Sequence, residues 1–292
     1  MDNRLDMAGS IQEIAQRLTA LDQKIETMGD TFTETYRSYL QQLGQTVRQQ
    51  LILSCYKICT ENYPKRFLAL PLSQRQQLQD DLKALADQTA TDLQELLQPI
   101  EHTQPEPVEL PDELAALLSD EDLDDEDDEY QEELEPKTPL TPIEALTIWQ
   151  EQLDRSIHKT LKTASNRANQ YLQDAEILQK RIPQAVIDAA SKSEGNDPNS
   201  PNLLNVLVSA SEKSGTDGTP AAAAAALNAL IHVVAVNLKL NELEFNDIPL
   251  MNLRNKIRDL KKQFQVIARE YQKKQREHAV LEAQHAWKST WT

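Results

Sequence analysis

The chain is short of several things at once. It has two cysteines and six glycines in 292 residues, 5% aromatics and 39% hydrophobic residues, the last below the ~45–50% of an average domain. Two cysteines exclude a disulfide framework. Scarce glycine and aromatic residues argue against a sheet-rich enzyme core. The sequence lacks GxxxxGK[ST], GxGxxG, HExxH and GxSxG, so the phosphate-loop, dinucleotide, zinc-protease and serine-hydrolase readings fall away. The stretch MDNRLDMAGSIQEIAQRL has neither a basic start nor an apolar run and does not read as a secretory signal. What remains is rich in Gln, Glu, Leu and Ala, and predicts an all-α fold of long amphipathic helices.

Basic residues are missing from one place. The net charge is −17, and 17 of the 47 acidic residues lie between Gln98 and Pro136, where there is no Lys or Arg. The rest of the chain balances, so the acidity is local. Pro99, Pro105, Pro107, Pro111, Pro136 and Pro139 punctuate the same region. Repulsion, proline and low hydrophobicity predict a disordered acidic linker over 99–140, dividing a module at 1–98 from one at 141–292. One island differs. In LPDELAALLSDEDL, Leu110, Leu114, Leu117 and Leu118 stand at i, i+4, i+7 and i+8, a leucine face suited to anchoring the linker. An EF-hand frame from Asp122 fails, because Asp127 stands where a glycine is needed and Glu129 where an apolar residue belongs.

Long helices are written into the flanks. Ile11, Ile14, Leu18, Leu21, Ile25, Met28 and Phe32 are spaced alternately by three and four, the a/d pattern of a coiled coil. The seam predicts self-association and a homo-oligomer. The stripe continues through Tyr36, Leu40, Leu43, Val47, Leu51 and Ile58 to Pro64, weakened at Gly29 and Gly44. Ser73 with Gln76 resembles a capping box opening a second helix along Leu78, Leu82, Leu85, Leu93 and Leu96, which completes a helical hairpin. In the second half, Thr141-Pro142-Ile143-Glu144 gives a cap, a first-position proline and an acidic first turn. A stripe from Leu146 to Ile182 follows, then short helices over 184–193 and 202–213. Thr219-Pro220 repeats the start before an alanine-rich buried helix over 221–240. A last stripe runs from Leu253 through Leu281. Together these predict a C-terminal helical bundle.

Candidate sites are few. GTDGTP, Gly215 to Pro220, reads as a turn feeding a helix cap. Cys55 and Cys59, four apart, read as buried packing rather than half a metal site, and His278 and His285 as seam or surface histidines. No catalytic residue, cofactor or metal is expected. The stronger signal is basic: Arg254, Lys256, Arg258, Lys261, Lys262, Arg269, Lys273, Lys274 and Arg276 face only Asp259 and Glu270 in 23 residues. Such a helix can bind polyanions or the chain's own acidic linker. The expected function is a non-enzymatic scaffold or adaptor, cytoplasmic, that self-associates by coiled coil and binds protein partners. The alternative is a nucleic-acid-associated protein that uses the basic helix under an acidic mask. It is not favoured, because the chain is acidic and no aromatic–basic interleaving accompanies the charge. The polar residues of segment 221–240 make a membrane span unlikely.

Overall fold

The computed structural model describes residues 2–100, 140–178, 202–209 and 230–290. It is all-α apart from one short antiparallel strand pair. In chain order the elements are α1 (Asp2–Lys57), a π-helical turn (Ile58–Asn62), α2 (Pro64–Ala69), α3 (Leu72–Glu95), α4 (Pro142–Asp174), β1 (Leu203–Ser209), β2 (Leu230–Val236), α5 (Leu240–Asn246) and α6 (Ile248–Thr290). Most of the acidic linker, with Leu110, Leu114, Leu117 and Leu118, lies outside the described residues, as do the helix expected over 184–193 and GTDGTP.

Two compact units are distinguished. One contains 1–29, 99–151 and 267–292; the other contains 30–98 and 152–266. The core of the second therefore draws on both flanks of the acidic stretch. Phe32 meets Phe264 edge-on at 6.3 Å between ring centroids, and Tyr36 meets Tyr39 edge-on at 6.2 Å. The buried stripe of α1 runs through Tyr36, Leu40, Leu43, Val47 and Leu51 and on to Ile58 of the π-helical turn, as its spacing predicts. Gly44 has a packing reason: a Cβ there would lie 3.1 Å from the Ala90 carbonyl oxygen, so its absence lets α1 and α3 approach closely.

The ends of α4 show how local chemistry sets boundaries. Thr141 and Glu144 form a reciprocal capping box: the Thr141 N–H donates to Glu144 Oε2 at 2.9 Å and the Glu144 N–H to Thr141 Oγ1 at 3.3 Å. These bonds hold the Glu144 carboxyl below its usual range. The helix stops at Asp174, short of Ile182. Glu176 takes φ 60°, and the N–H groups of Glu176 and Ile177 return to the carbonyls of Gln173 and Leu172, each at 2.9 Å. This is a Schellman ending, completed by the buried pair Leu172 and Ile177. By contrast, the start of α3 does not use Ser73. Pro71 occupies the cap position, with no side-chain cap bond.

Segments 202–213 and 221–240 were expected to be helical, and within them Leu203–Ser209 and Leu230–Val236 are strands. Leu203 pairs with Val236 and Ser209 with Leu230 in antiparallel register. Four β-branched residues in LIHVVAV outweigh the helix-starting signal upstream, because branched side chains suit a pleated, half-buried surface. A two-stranded pair is marginal alone, and α4 supports it. Asn169 donates from Nδ2 to the Val236 carbonyl at 2.9 Å and accepts the Val236 N–H at 2.8 Å, imitating a neighbouring strand. Ser165 Oγ accepts the Leu238 N–H at 2.9 Å. Buried backbone groups are thereby satisfied by side chains.

Two predictions follow from this architecture. Co-expressed fragments 1–98 and 141–292 should co-purify with intact helicity, because each supplies half of one core; separate elution of two folded fragments would contradict it. Glu176→Gly relieves a left-handed backbone that costs a side-chain-bearing residue roughly 1 kcal/mol, so thermal melting should rise by about 2–4 °C.

Candidate protein-docking site

Near the end of α1 the helical ladder widens. The Tyr63 N–H bonds to the Ile58 carbonyl five residues back, at 2.9 Å. Pro64, which has no N–H, occupies the first turn of α2. The wide turn and α2 redirect the chain so that α3 runs back past α1. Arg66 Nη1 donates to the Ile177 carbonyl at 2.9 Å, and Tyr63 Oη accepts the Val234 N–H at 3.2 Å, fixing α2 to the ends of α4 and β2. Arg75 donates from Nε to the Leu70 carbonyl at 2.9 Å and lies 5.9 Å from the Phe67 ring centre.

This corner leaves a hollow of about 380 Å³, walled by Ile52, Cys55, Tyr56, Cys59, Phe67, Leu78 and Leu82, with Thr60, Gln79 and Lys83 at its polar edge. The apolar surface does not stop at the walls. Ile52 is 41% exposed and Tyr56 58%, and Leu68 and Leu72 on the flanking elements are each 66% exposed. Exposed apolar side chains beside a hollow make this corner the candidate binding face. Sequence reading passed over it because Ile52, Leu53 and Tyr56 fall off the regular stripe; apolar residues outside a stripe were the available signal.

Cys55 and Cys59 are free and buried. Burial pushes the Cys59 thiol up to about 11 and the Cys55 thiol higher still, with Cys59 adding to the latter. Protonated thiols are poor nucleophiles and poor metal ligands. Among the described residues no cluster of three His, Cys, Asp or Glu is placed to hold a metal ion. His278 lies 3.5 Å from Glu282, and His285 is exposed.

The basic helix divides. Arg254 is tucked in, 3.3 Å from Glu244 and 3.5 Å from Asp154, with its guanidinium 6.0 Å from the centre of the Tyr39 ring. Lys261 pairs with Asp154 at 2.8 Å, Lys262 with Asp259 at 3.1 Å and Lys274 with Glu277 at 2.5 Å. Tyr36 donates to Asp154 at 3.5 Å and Tyr39 to Glu244 at 2.5 Å. Burial first, and then these carboxylates, raise both phenols well above their ordinary value. Burial opposes the charge of Arg254, but the surrounding tyrosines and carboxylates outweigh it and the guanidinium stays charged. Lys256, Arg258, Arg269, Lys273 and Arg276 remain exposed.

The heptad seam also divides. Leu21, Ile25 and Phe32 are buried within one chain, whereas Ile11, Ile14, Leu18 and Met28 are half-buried. No helix among the described residues is long and apolar enough to cross a membrane. Comparison with known protein families, curated proteins and solved structures finds no match.

The thiols provide a test of the hollow's packing. A thiol with a raised folded-state value contributes stability that is present below the unfolded value near 9.0 and is lost as pH rises through about 11. Alkylation of the native protein at pH 8 should therefore be slow at both cysteines and become fast in denaturant, and thermal stability should fall above pH 9. Rapid native labelling of Cys55 would show that its thiol is not packed into the wall of the hollow.

Proposed function

We propose that the protein is a non-enzymatic adaptor that docks an amphipathic helix of a protein partner in the hollow of α1, α2 and α3. The observation that carries this reading is the apolar hollow lined in part by the exposed side chains of Ile52 and Tyr56. Helix-in-groove recognition needs a preformed apolar cleft that takes anchors spaced at i, i+3 or i+4. Here the cleft is held by the wide turn before Pro64 and by Arg66 and Arg75, so little ordering is needed on binding. Lys83 at its edge favours a partner helix with an acidic flank. A reducing cytoplasm is the setting this reading assumes for two free thiols.

The reading does not depend on self-association. Leu21, Ile25 and Phe32 already serve the chain's own packing, so a coiled coil between copies would draw on Ile11, Ile14, Leu18 and Met28. The nucleic-acid reading rests on the exposed part of the basic helix. It ranks second, because carboxylates of the chain engage Arg254, Lys261, Lys262 and Lys274.

A benzophenone amino acid at Tyr56 of the full chain tests the docking reading. Photolysis in cells should give an adduct whose partner peptide is an amphipathic helix of another protein. Ile52→Asp, which changes an exposed residue of the hollow and leaves helicity intact, should reduce that adduct several-fold. An adduct indifferent to Ile52→Asp, or one formed only with this chain, overturns the proposal.

A further inference from the structure

A second surface has a different chemistry. An open groove of about 800 Å³ runs beside the C-terminal part of α6, with Ile14 of α1 and Val280 and Leu281 of α6 as its apolar lining and Arg269, Lys273 and Arg276 along it. The three cations stand at i, i+4 and i+7 on one face, all exposed and without an ion pair among the described residues. Glu277 also lines the groove, but Lys274 engages it at 2.5 Å and Lys273 and Arg17 act on it as well, so the groove is net positive. An apolar lining with cationic sides fits a helix that has leucines on one face and carboxylates beside them.

We propose that the occupant is the chain's own segment 110–123, LPDELAALLSDEDL, docked as an amphipathic helix. Leu110, Leu114, Leu117 and Leu118 share one helical face, Pro111 suits a first helical turn, and Asp112, Glu113, Asp120, Glu121 and Asp122 supply the opposite charge. The tether lengths agree. The Cδ1 of Ile100 lies 3.2 Å from where a Gly29 side chain would begin, so the segment that follows α3 starts out beside Gly29 of α1. Ile14 is about 22 Å from there along the helix, and the ten residues from Ile100 to Leu110 can span about 33 Å. On the return side, the charge of Glu144 is felt at Tyr271, whose hydroxyl bonds to Asp22. Tyr271 stands about half a helical turn from Lys273 and about two and a half from Val280, and the 22 residues from Leu118 to Leu140 reach about 70 Å. Ile14, Ile100, Glu144 and the groove side of α6 belong to one compact unit. Tethering at both ends gives an effective concentration on the order of millimolar, so a weak contact is occupied.

The test uses the full chain with a benzophenone amino acid at Leu117. Photolysis should join Leu117, within one chain, to peptides containing Ile14 or Val280 and Leu281. Lys273→Glu with Arg276→Glu alters only exposed side chains and should cut that adduct about tenfold, with helicity and melting unchanged. Adding Asp120→Lys, Glu121→Lys and Asp122→Lys to that variant should restore it. At 1 M salt the adduct should weaken but persist, because the leucine contact is not screened. An adduct between two chains, an adduct at other peptides, or a yield indifferent to charge reversal overturns the proposal. The Tyr56 adduct reports on a different surface, so failure here and failure of the docking reading are told apart.

Discussion

A partly buried guanidinium governs the larger unit. Arg254 of α6 sits among Tyr39 of α1, Asp154 of α4 and Glu244 of α5, and its buried Nε and Nη1 lack a well-aligned acceptor. Such a group adds little net stability, because its attraction to carboxylates is offset by the loss of water. Removing one partner, however, strands a charge at a cost of about 3–5 kcal/mol. The arrangement therefore selects more than it stabilises. Heptad-like stripes of leucine and isoleucine pack almost as well after a slip of one repeat. A slip would part Arg254 from Glu244, Lys261 from Asp154 and Tyr36 from its carboxylate at the same time. Asp247 adds a second constraint: it accepts Thr46 Oγ1 at 2.6 Å and Gln42 Nε2 at 3.0 Å from α1, while capping α6 through the Leu250 N–H at 2.9 Å. The start of α6 is thus fixed against one place on α1.

That register explains why the hollow exists. With α1 held by its Tyr36 and Tyr39 face, the last turns before Pro64 cannot rotate to bury every apolar residue. Ile58 and Cys59 go inward, and the wide turn absorbs the mismatch. Tyr56 and Ile52 are left facing out. The exposed apolar surface is on this account a consequence of where the polar centre sets the helix, not a defect of local sequence, and the docking proposal rests on it.

The elements that were legible in the sequence were those with a strong period or a strong cap. The buried stripe from Tyr36 to Ile58, the buried leucines of α3 and the Thr141 cap all appear where spacing and capping chemistry place them, although the box expected at Ser73 does not form. The strands were not legible. LLNVLVS and LIHVVAV are short apolar runs, where period does not separate strand from helix, and the upstream proline and alanines pointed the wrong way. The partner that decides their state, the Asn169 amide against Val236, lies 67 residues away in sequence. The sharing of one core by 30–98 and 152–266 was hidden for the same reason: hydrophobic spacing says which face is buried, not which helix covers it. At the candidate site the cysteines were legible as packing residues, but Phe67, Leu68 and Tyr56 become a surface only once α2 turns the corner.

The basic run of α6 shows how a one-dimensional count misleads. Read along the chain, nine cations form one feature. In three dimensions, Arg254 and Lys261 belong to the interior electrostatics of the larger unit, where their charge is answered by Asp154 and Glu244. Arg269, Lys273 and Arg276 lie beyond Phe264, the last buried residue of the α6 stripe, where the helix has left that core and its cations face outward. The charge left unanswered is therefore smaller than the sequence total, and the part of it at Arg269, Lys273 and Arg276 lies beside apolar residues instead of on a bare helix. A bare cationic stripe attracts any polyanion and releases it as salt rises. Cations beside an apolar groove discriminate, because a phosphate backbone satisfies the charge but leaves Ile14, Val280 and Leu281 in water. What the geometry prefers is a ligand that is acidic and apolar at helical spacing, and chain physics favours the one that is already tethered.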